Sequence, residues 1–600
     1  MAPTLPPRAA ARPAQRVVFR RSGGDAAPHR RIPRNRRSGG LVEPPASRLR
    51  SALVSGDAGG DAGATARLLR TAQSPALRVP RRRLGLGRLI PNRVPALSRP
   101  PEEAAARPAN LFDGGTAMRA RPVTVLLAMV AAACAPAAVP QDIPSRAREA
   151  LARAVAFYRN EVAVEGSYLW TYSEDLKVRR GEGEATATQG WVQPPGTPAV
   201  GMAYLRAYRA TGDRTYLEAA REAARALART QLVSGGWDYR IDFDPEGRKQ
   251  WHYRSDFEAG DRESGRRRHG SVYDDNTTQS ALRLLLRVDA ALERRDDEIR
   301  RAREYGLAKL LEAQYPNGAW PQYWTGEPHD PVRYPVLKAR VPENWPREWP
   351  RGSYHTFYTL NDNVLRDIVG VLLEAHRTLG EARFLAAARR AGEFVRLAQL
   401  PEPQPVWAQQ YNFQMEPTWA RRFEPPAATA GESVGVIHLL LDLYLATGDE
   451  ALLEPIPPAL AWYERSRLPD GQWARFYELR TNRPLFFTRQ YQLVYTDHDL
   501  PTHYSFKGEY GVRAMRERYE RLLRDGRDAT LAAQQRRRTP EECRRAAREL
   551  EPRVLEILAA LDDRGRWIDR GLIRSETFCR NLDLLSDYLA LSAGNEPPPR

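Results

Sequence analysis

Ser271-Val-Tyr-Asp-Asp-Asn-Thr-Thr-Gln-Ser280 runs directly into Ala281-Leu-Arg-Leu-Leu-Leu286. Carboxylates, amides and hydroxyls ahead of an apolar run at helical spacing mark a helix start. Such side chains accept from the free backbone N–H groups of the first turn, and their charge is favoured by the helix dipole. The arrangement returns at Leu360-Asn-Asp-Asn363, ahead of Val364-Leu365. Two oxygen-rich turns that face one cavity can do more than cap helices. They can share a hard cation, because Ca²⁺ takes carboxylates and amide carbonyls from flexible turns.

Outward from these turns the chain repeats. Val200–Ala210 reads as a helix, Thr211-Gly212-Asp213 as a turn, and Tyr216–Leu232 as a second helix that ends at Ser234-Gly-Gly-Trp237. The unit recurs as Ala281–Leu292 and Ile299–Gln314, ending at Pro316-Asn-Gly-Ala-Trp320. It recurs again as Val364–Arg377 and Phe384–Leu397 with Trp407 after a Pro-rich loop, and as Val434–Ala446 and Leu452–Arg465 with Pro469-Asp-Gly-Gln-Trp473. The tryptophans are spaced by 83, 87 and 66 residues. A repeat of this kind cannot bury its apolar face alone, so the hairpins must stack. Because the long Trp-bearing loops all follow the second helix, they gather on one face. The expected fold is all-α: an (α/α) toroid of helical hairpins whose long loops line a cleft.

In any single loop, Gly-Trp after a helix reads as a C-cap glycine beside a packed indole. Four such loops on one face, joined by Tyr239, Tyr323, Trp324 and Tyr411, read instead as platforms on which sugar rings stack. A further loop, Glu416-Pro-Thr-Trp-Ala-Arg-Arg-Phe-Glu424, and a later cluster, Arg475-Phe-Tyr-Glu-Leu-Arg-Thr-Asn-Arg483 with Phe486-Phe-Thr-Arg489, place guanidinium groups beside aromatic rings. That combination suits bidentate capture of carboxylates on a pyranose. For Arg480 and Arg483, surface salt bridges account for the pattern equally well.

Charge excludes one class of partner. The formal net charge is +18, but residues 1–117 hold 22 Arg against 7 acidic residues, a surplus of 15, so the rest of the chain is nearly neutral. A basic segment rich in Arg, Pro, Ala and Gly is not a basic stripe on a folded surface, and nucleic acid is not an expected partner. That segment lacks apolar periodicity and is expected to be disordered or untranslated, with translation starting at Met118. Residues 118–140 have the short basic region, apolar run and small residues of a secretory signal peptide. The apolar run is short for a membrane span. Export to the extracellular space or periplasm is expected, with Cys134 as an alternative point of lipid anchoring. Cys134, Cys543 and Cys579 are too few for a disulfide framework and lack metal-ligand spacing. The expected organisation is then a toroid over 141–525 and a C-terminal helical extension over 526–600.

Six motifs make the chain familiar, in order: Asp274-Asp275 with Thr277-Thr278, Tyr315-Pro-Asn-Gly-Ala-Trp-Pro-Gln322, Asn361-Asp-Asn363, Pro417-Thr-Trp-Ala-Arg-Arg-Phe-Glu424, Gly431-Glu-Ser-Val-Gly435, and Arg475-Phe-Tyr-Glu with Thr-Asn-Arg483. Over about residues 190–515 they resemble the family-ten pectate lyases. The resemblance implies an (α/α) toroid that cleaves polygalacturonate by Ca²⁺-assisted anti β-elimination. It implies that Asp274 and Asp362 act with the metal, that Arg421 is the base, and that Arg475 and Arg489 bind substrate. Asp275 is expected to join the metal ligands, and Asn363, Trp320, Trp419 and Tyr411 the substrate-binding set. Two departures stand out. Trp419 occupies the place where the family pattern has lysine, two residues before the arginine, and the segment from Glu327 to Arg351 is a long insertion rich in Pro, Trp and charge.

The alternatives are an (α/α) glycoside hydrolase acting on an acidic polysaccharide, with Asp274 and Asp362 as its carboxylate pair, and a non-catalytic helical repeat that binds pectin. A terpene-cyclase reading of Asp274-Asp275 is weaker, since the loops carry Arg and Trp and nothing outlines a prenyl pocket. A monomer is expected.

Overall fold

The computed structural model describes residues 142–598. The upstream segment, the stretch expected to be a signal peptide and Cys134 lie outside the described residues. Hairpins of helices follow one another: α1 (Ile143–Phe157), α2 (Thr197–Thr211), α3 (Arg214–Arg229), the short α4 (Arg254–Glu258), α5 (Thr277–Ala291), α6 (Asp297–Glu312), α7 (Val364–Leu379), α8 (Ala382–Ala398), α9 (Ala430–Thr447) and α10 (Ile456–Arg465). They continue with α11 (Val512–Asp525), α12 (Arg527–Gln535), α13 (Pro540–Ala559) and α14 (Ser575–Ser592). The first member of each pair forms an inner layer in which α14 packs on α2, α2 on α5, α5 on α7, α7 on α9 and α9 on α11. The second member packs outside, and small residues let neighbouring inner helices approach. A Cβ placed on Gly201 of α2 would lie 2.6 Å from Leu284 of α5. The result is the expected (α/α) toroid.

Ion pairs bind neighbouring inner helices to each other. Arg206 of α2 reaches Asp587 of α14 (Nε–Oδ1 2.8 Å), Arg287 of α5 reaches Glu374 of α7 (2.5 Å), and Arg518 of α11 reaches Asp442 of α9 (2.5 Å). The most apolar inner helix, α9, is long enough to cross a bilayer, but two thirds of it is buried inside the ring.

The join of the ring corrects the expected division at residue 525. Helix α14 supplies an inner stave and packs against both α1 and α2, while α13 packs against α1 and α14. The strand Thr171–Ser173, which follows α1, pairs antiparallel with Leu572–Arg574, which precedes α14. The C-terminal stretch is thus not an extension. Its helices complete the ring with the first helix of the described chain. Motif reading missed this because the stretch carries no site residues, only apolar positions such as Leu582, Leu585 and Leu589 that face the core.

The same device repeats at four further hairpins and explains why their loops face one way. A short strand before each inner helix pairs antiparallel with a strand that follows the outer helix: Gln189–Trp191 with Arg240–Asp242, Ser271–Val272 with Tyr323–Trp324, Tyr358–Thr359 with Gln410–Tyr411, and Ala427–Thr429 with Phe476–Glu478. Each ribbon holds the N-terminus of an inner helix at the rim, which is where the oxygen-rich turns lie.

Candidate functional site

The two acidic turns adopt one conformation. Asp275 and Asn276 have φ of 51° and 59°, and Asp362 and Asn363 have φ of 45° and 60°. Two successive left-handed residues are costly outside glycine, and Asp and Asn are among the side chains that tolerate this region. The superposition of turns makes Asp275, not Asp274, the counterpart of Asp362, while Asp274 corresponds to Asn361. The kink turns the side chains out over the rim instead of into the helix. Carboxylate oxygens of Asp274, Asp275 and Asp362 come within 4.8 Å of one another.

Their surroundings are polar but incomplete. Gln193 donates to Asp275 (2.9 Å), Asn361 donates to Asp362 (2.7 Å), and the Tyr239 hydroxyl lies 3.4 Å from Asp274. Asp274 Oδ1 is buried without a protein partner. Burial, together with the neighbouring charges of Asp275 and Asp362, pushes the Asp274 carboxyl up to about 8. Burial and the charge of Asp362 push Asp275 up to about 6. Three clustered carboxylates, one of them with an orphaned buried oxygen, make a site that can take a cation. The spacing suits Ca²⁺: with Ca–O contacts of ~2.5 Å, oxygens on one ion lie up to ~5 Å apart.

Arg421 and Arg475 flank this cluster, their terminal nitrogens 4.0 and 3.9 Å from Asp362. Each is paired to a buried glutamate, Arg421 to Glu424 and Arg475 to Glu432. Glu424 also accepts from the Arg421 backbone N–H (2.9 Å) and from the Tyr504 hydroxyl (3.0 Å), and the Tyr504 ring lies under both guanidinium groups, at 5.4 and 4.5 Å. Burial works against the Arg421 charge, but the hydrogen bond and charge of Glu424 outweigh it and hold the guanidinium above its ordinary value. Burial works against the Glu424 charge as well, and Arg421 holds that carboxyl below its usual range. The sequence alone assigned no role to Glu424, Glu432, Tyr504 or Gln193, and it offered Tyr239 as a sugar platform, not as a neighbour of the acidic cluster.

Asn363 stands at the rim with its side-chain oxygen against α9, where a Cβ on Gly435 would lie 2.2 Å from it. Arg489 is not part of the cluster as described. Its side chain is 66% exposed and pairs with Asp499 at 3.3 Å, because the strand Pro484–Phe487 turns at Thr488 and carries it outward.

The expected sugar platforms are a larger correction. Trp237, Trp320 and Trp407 are fully buried, and Trp473 nearly so. Each indole N–H donates back to a carbonyl near the end of the preceding outer helix: Leu227 (2.9 Å), Leu310 (2.9 Å), Val395 (2.7 Å) and Tyr463 (2.8 Å). A fifth copy, Trp567 to Ile557 (2.9 Å), sits after α13. Glycines two residues before four of these tryptophans, Gly235, Gly318, Gly471 and Gly565, hold φ between 81° and 93°, which folds the loop back over the helix end. These indoles satisfy orphan carbonyls left by helix termini. Tyr411 is equally committed, its hydroxyl donating to Ala398 (2.6 Å) and accepting from Ala408 (2.7 Å). Trp419 is buried and donates to Pro346 (2.8 Å). Trp320→Phe is therefore expected to cost about 1–3 kcal/mol of stability, the penalty of an unsatisfied buried carbonyl, while KM is unchanged. Denaturant melts and substrate kinetics on the purified variant check both halves.

Fold and rim together define an (α/α) toroid with an acidic cluster flanked by arginines at the N-termini of its inner helices. Residues 243–472 match the family model described as pectic acid lyase. The family resemblance read from the motifs agrees with this match: five of the six lie within the matched stretch, and the sixth, from Arg475, follows just after it. No match was found among curated proteins. Among solved structures, a mutant family 10 polysaccharide lyase from Cellvibrio cellulosa in complex with trigalacturonic acid is 20% identical, covering 54% of this chain and 97% of that one with a TM-score of 0.36. A GH76 alpha-mannanase from Bacteroides thetaiotaomicron is 9% identical, covering 76% of this chain and 96% of that one with a TM-score of 0.35.

Proposed function

We propose that this protein is an exported pectate lyase, which cleaves (1,4)-α-D-galacturonan by Ca²⁺-assisted anti β-elimination and leaves 4,5-unsaturated oligogalacturonides. The observation that supports this most is the convergence of Asp274, Asp275 and Asp362 with Arg421 and Arg475 on one rim. Asp274, Asp275 and Asp362 would hold the cation. Bound Ca²⁺ supplies Lewis-acid polarisation of the uronate carboxylate, which makes the adjacent C5–H more acidic.

The chain's own groups do the rest. Arg475, fixed by Glu432, orients the uronate carboxylate by charge-assisted hydrogen bonds. Arg421 faces the C5 proton as the base. A guanidinium with a pKa above ~12 has no lone pair to offer until it loses a proton, and here Glu424 and Asp362 both hold that proton on. Engaging Asp362 as a metal ligand weakens one of those two restraints, and a second cation from Arg475 pushes in the same direction. Neutral Arg421 takes the C5 proton, the C5–H electron pair forms the C4=C5 double bond, and the C4–O bond breaks with its pair on the departing oxygen, which takes a proton from water. Alkaline conditions should favour the reaction.

Spacing counts against inverting hydrolysis, which needs carboxyl groups ~6.5–9.5 Å apart to admit water. Incubation with polygalacturonate is expected to give ultraviolet-absorbing unsaturated ends. New reducing ends without that absorbance would replace the lyase reading with a hydrolase, and binding without either product would leave a pectin-binding module. Export through the 118–140 leader is part of the proposal, and N-terminal sequencing of secreted protein tests it.

A further inference from the structure

The insertion from Glu327 to Arg351 is a strap across the loop face. His329 stacks on Tyr315 (3.8 Å), Tyr334 packs edge-on against Phe413 (4.9 Å), and the Ala339 N–H donates to the Leu397 carbonyl (2.7 Å). Farther along, Pro342 accepts from Arg480 (3.0 Å), Arg347 pairs with the buried Glu478, and the Trp349 indole donates to the Ala420 carbonyl (2.9 Å). The strap thus ends one residue from Arg421.

Between its last turn, the Trp419–Arg422 loop and the 487–495 hairpin lies a cavity of about 740 Å³, inside the ~300–1,000 Å³ range of pockets that hold a small ligand. Its chemistry is specific. Arg347, Arg351 and Arg422 line it against one carboxylate, Glu348, and Trp349, Tyr491 and Tyr495 supply aromatic surface. Two of the guanidinium groups are held in place. Arg422 lies over Tyr491 (5.3 Å) and donates to the Gln490 carbonyl (3.1 Å), and Arg347 lies over Trp345 (3.9 Å). Arg351 is exposed, adopts φ of 57°, and has no protein partner among the described residues. One ring links the cavity wall to the reacting site: Phe423 stacks on Tyr491 at 5.4 Å and lies under Arg421 at 5.1 Å.

We propose that the strap builds a distal subsite, in which Arg351 and Arg422 bind the carboxylate of a further uronate residue of the substrate chain while the aromatic wall packs on its ring. Aromatic faces bury the apolar side of a sugar, and fixed guanidinium groups select an acidic sugar over a neutral one. This inference rests on the proposed pectate lyase activity and adds to it a preference for long chains.

The test compares Arg351→Ala, Arg422→Ala and the double variant with the parent on oligogalacturonides of increasing length. For the double variant, KM on long chains is expected to rise about tenfold or more, as the loss of a charge-assisted contact implies. The ratio of kcat/KM between long and short oligomers should fall with it. An unchanged ratio would overturn the subsite. Electrophoresis through gels containing polygalacturonate, a second polyuronate or a neutral galactan reads binding without turnover. Retardation by a polyuronate that the double variant loses supports the subsite even in a protein that forms no unsaturated product, in which case only the lyase reading fails. Equal retardation of parent and variant, or none by any acidic polymer, overturns the subsite. Thermal melts confirm folding, since Arg351 is exposed and bonds to nothing that its loss would strand.

Discussion

Arg421→Lys is expected to lower kcat on polygalacturonate by about 10²–10⁴, the range a general base contributes, and to leave the melting transition nearly unchanged. The choice of lysine matters. The side chain of Glu424 is 1% exposed and depends on Arg421 for its counter-charge, so Arg421→Ala strands a buried carboxylate at a cost of about 3–5 kcal/mol. Lost activity in the alanine variant would then mix chemistry with misfolding. Lysine keeps the positive charge near Glu424 but replaces a planar fork by a single ammonium, which cannot both hold Glu424 and reach the C5 proton. The pair Arg421→Ala with Glu424→Gln separates the effects in the other direction: stability should return and turnover should not. Near-parental kcat in the lysine variant would mean that Arg421 orients Glu424 and that the base is another group.

The acidic turns were legible because oxygen-bearing residues ahead of an apolar helical run have few other readings. Their exact correspondence was not. Adjacent Asp274 and Asp275 look interchangeable on paper, and only the paired left-handed conformation shows that Asp275 matches Asp362. The hairpin repeat was legible from helical periodicity, but ring closure was not, because α14 and α1 are joined by strands some 400 residues apart in sequence. The tryptophan loops show how composition misleads. An indole that stacks on sugar and an indole that caps a helix through a carbonyl ten residues back have the same sequence signature, Gly-x-Trp after a helix. What separates them is whether the ring is exposed, and burial is a property of the packed ring of helices. Arg489 failed for a related reason: one more residue of turn at Thr488 points it outward. Glu424 and Glu432 had no signal of their own, since a glutamate near an arginine reads as an ordinary surface pair until both are buried.

Cation affinity should carry a proton signature. Without metal, the folded protein keeps protons on Asp274 (pushed up to about 8) and Asp275 (about 6) that an unfolded chain releases near the ordinary carboxylate value of ~4. Between about pH 4 and 8 the folded state therefore binds more protons than the unfolded one. The contribution of these groups to stability is full below that window and is lost as pH rises through it. In EDTA, the melting temperature should fall across this window, and Asp274→Asn should flatten the fall. A Ca²⁺ ion needs both carboxylates ionised, so binding near pH 7 displaces about one proton from Asp274 and grows about tenfold tighter per pH unit up to about 8, more steeply below 6. Calorimetric titrations in buffers of different ionisation enthalpy read the proton count directly. Chelation should abolish lyase turnover at every pH, and Asp362→Asn should weaken Ca²⁺ binding even where Asp274 is fully ionised. A pH-independent Ca²⁺ affinity would place the ion away from these three aspartates and remove the basis for treating the two turns as one metal centre.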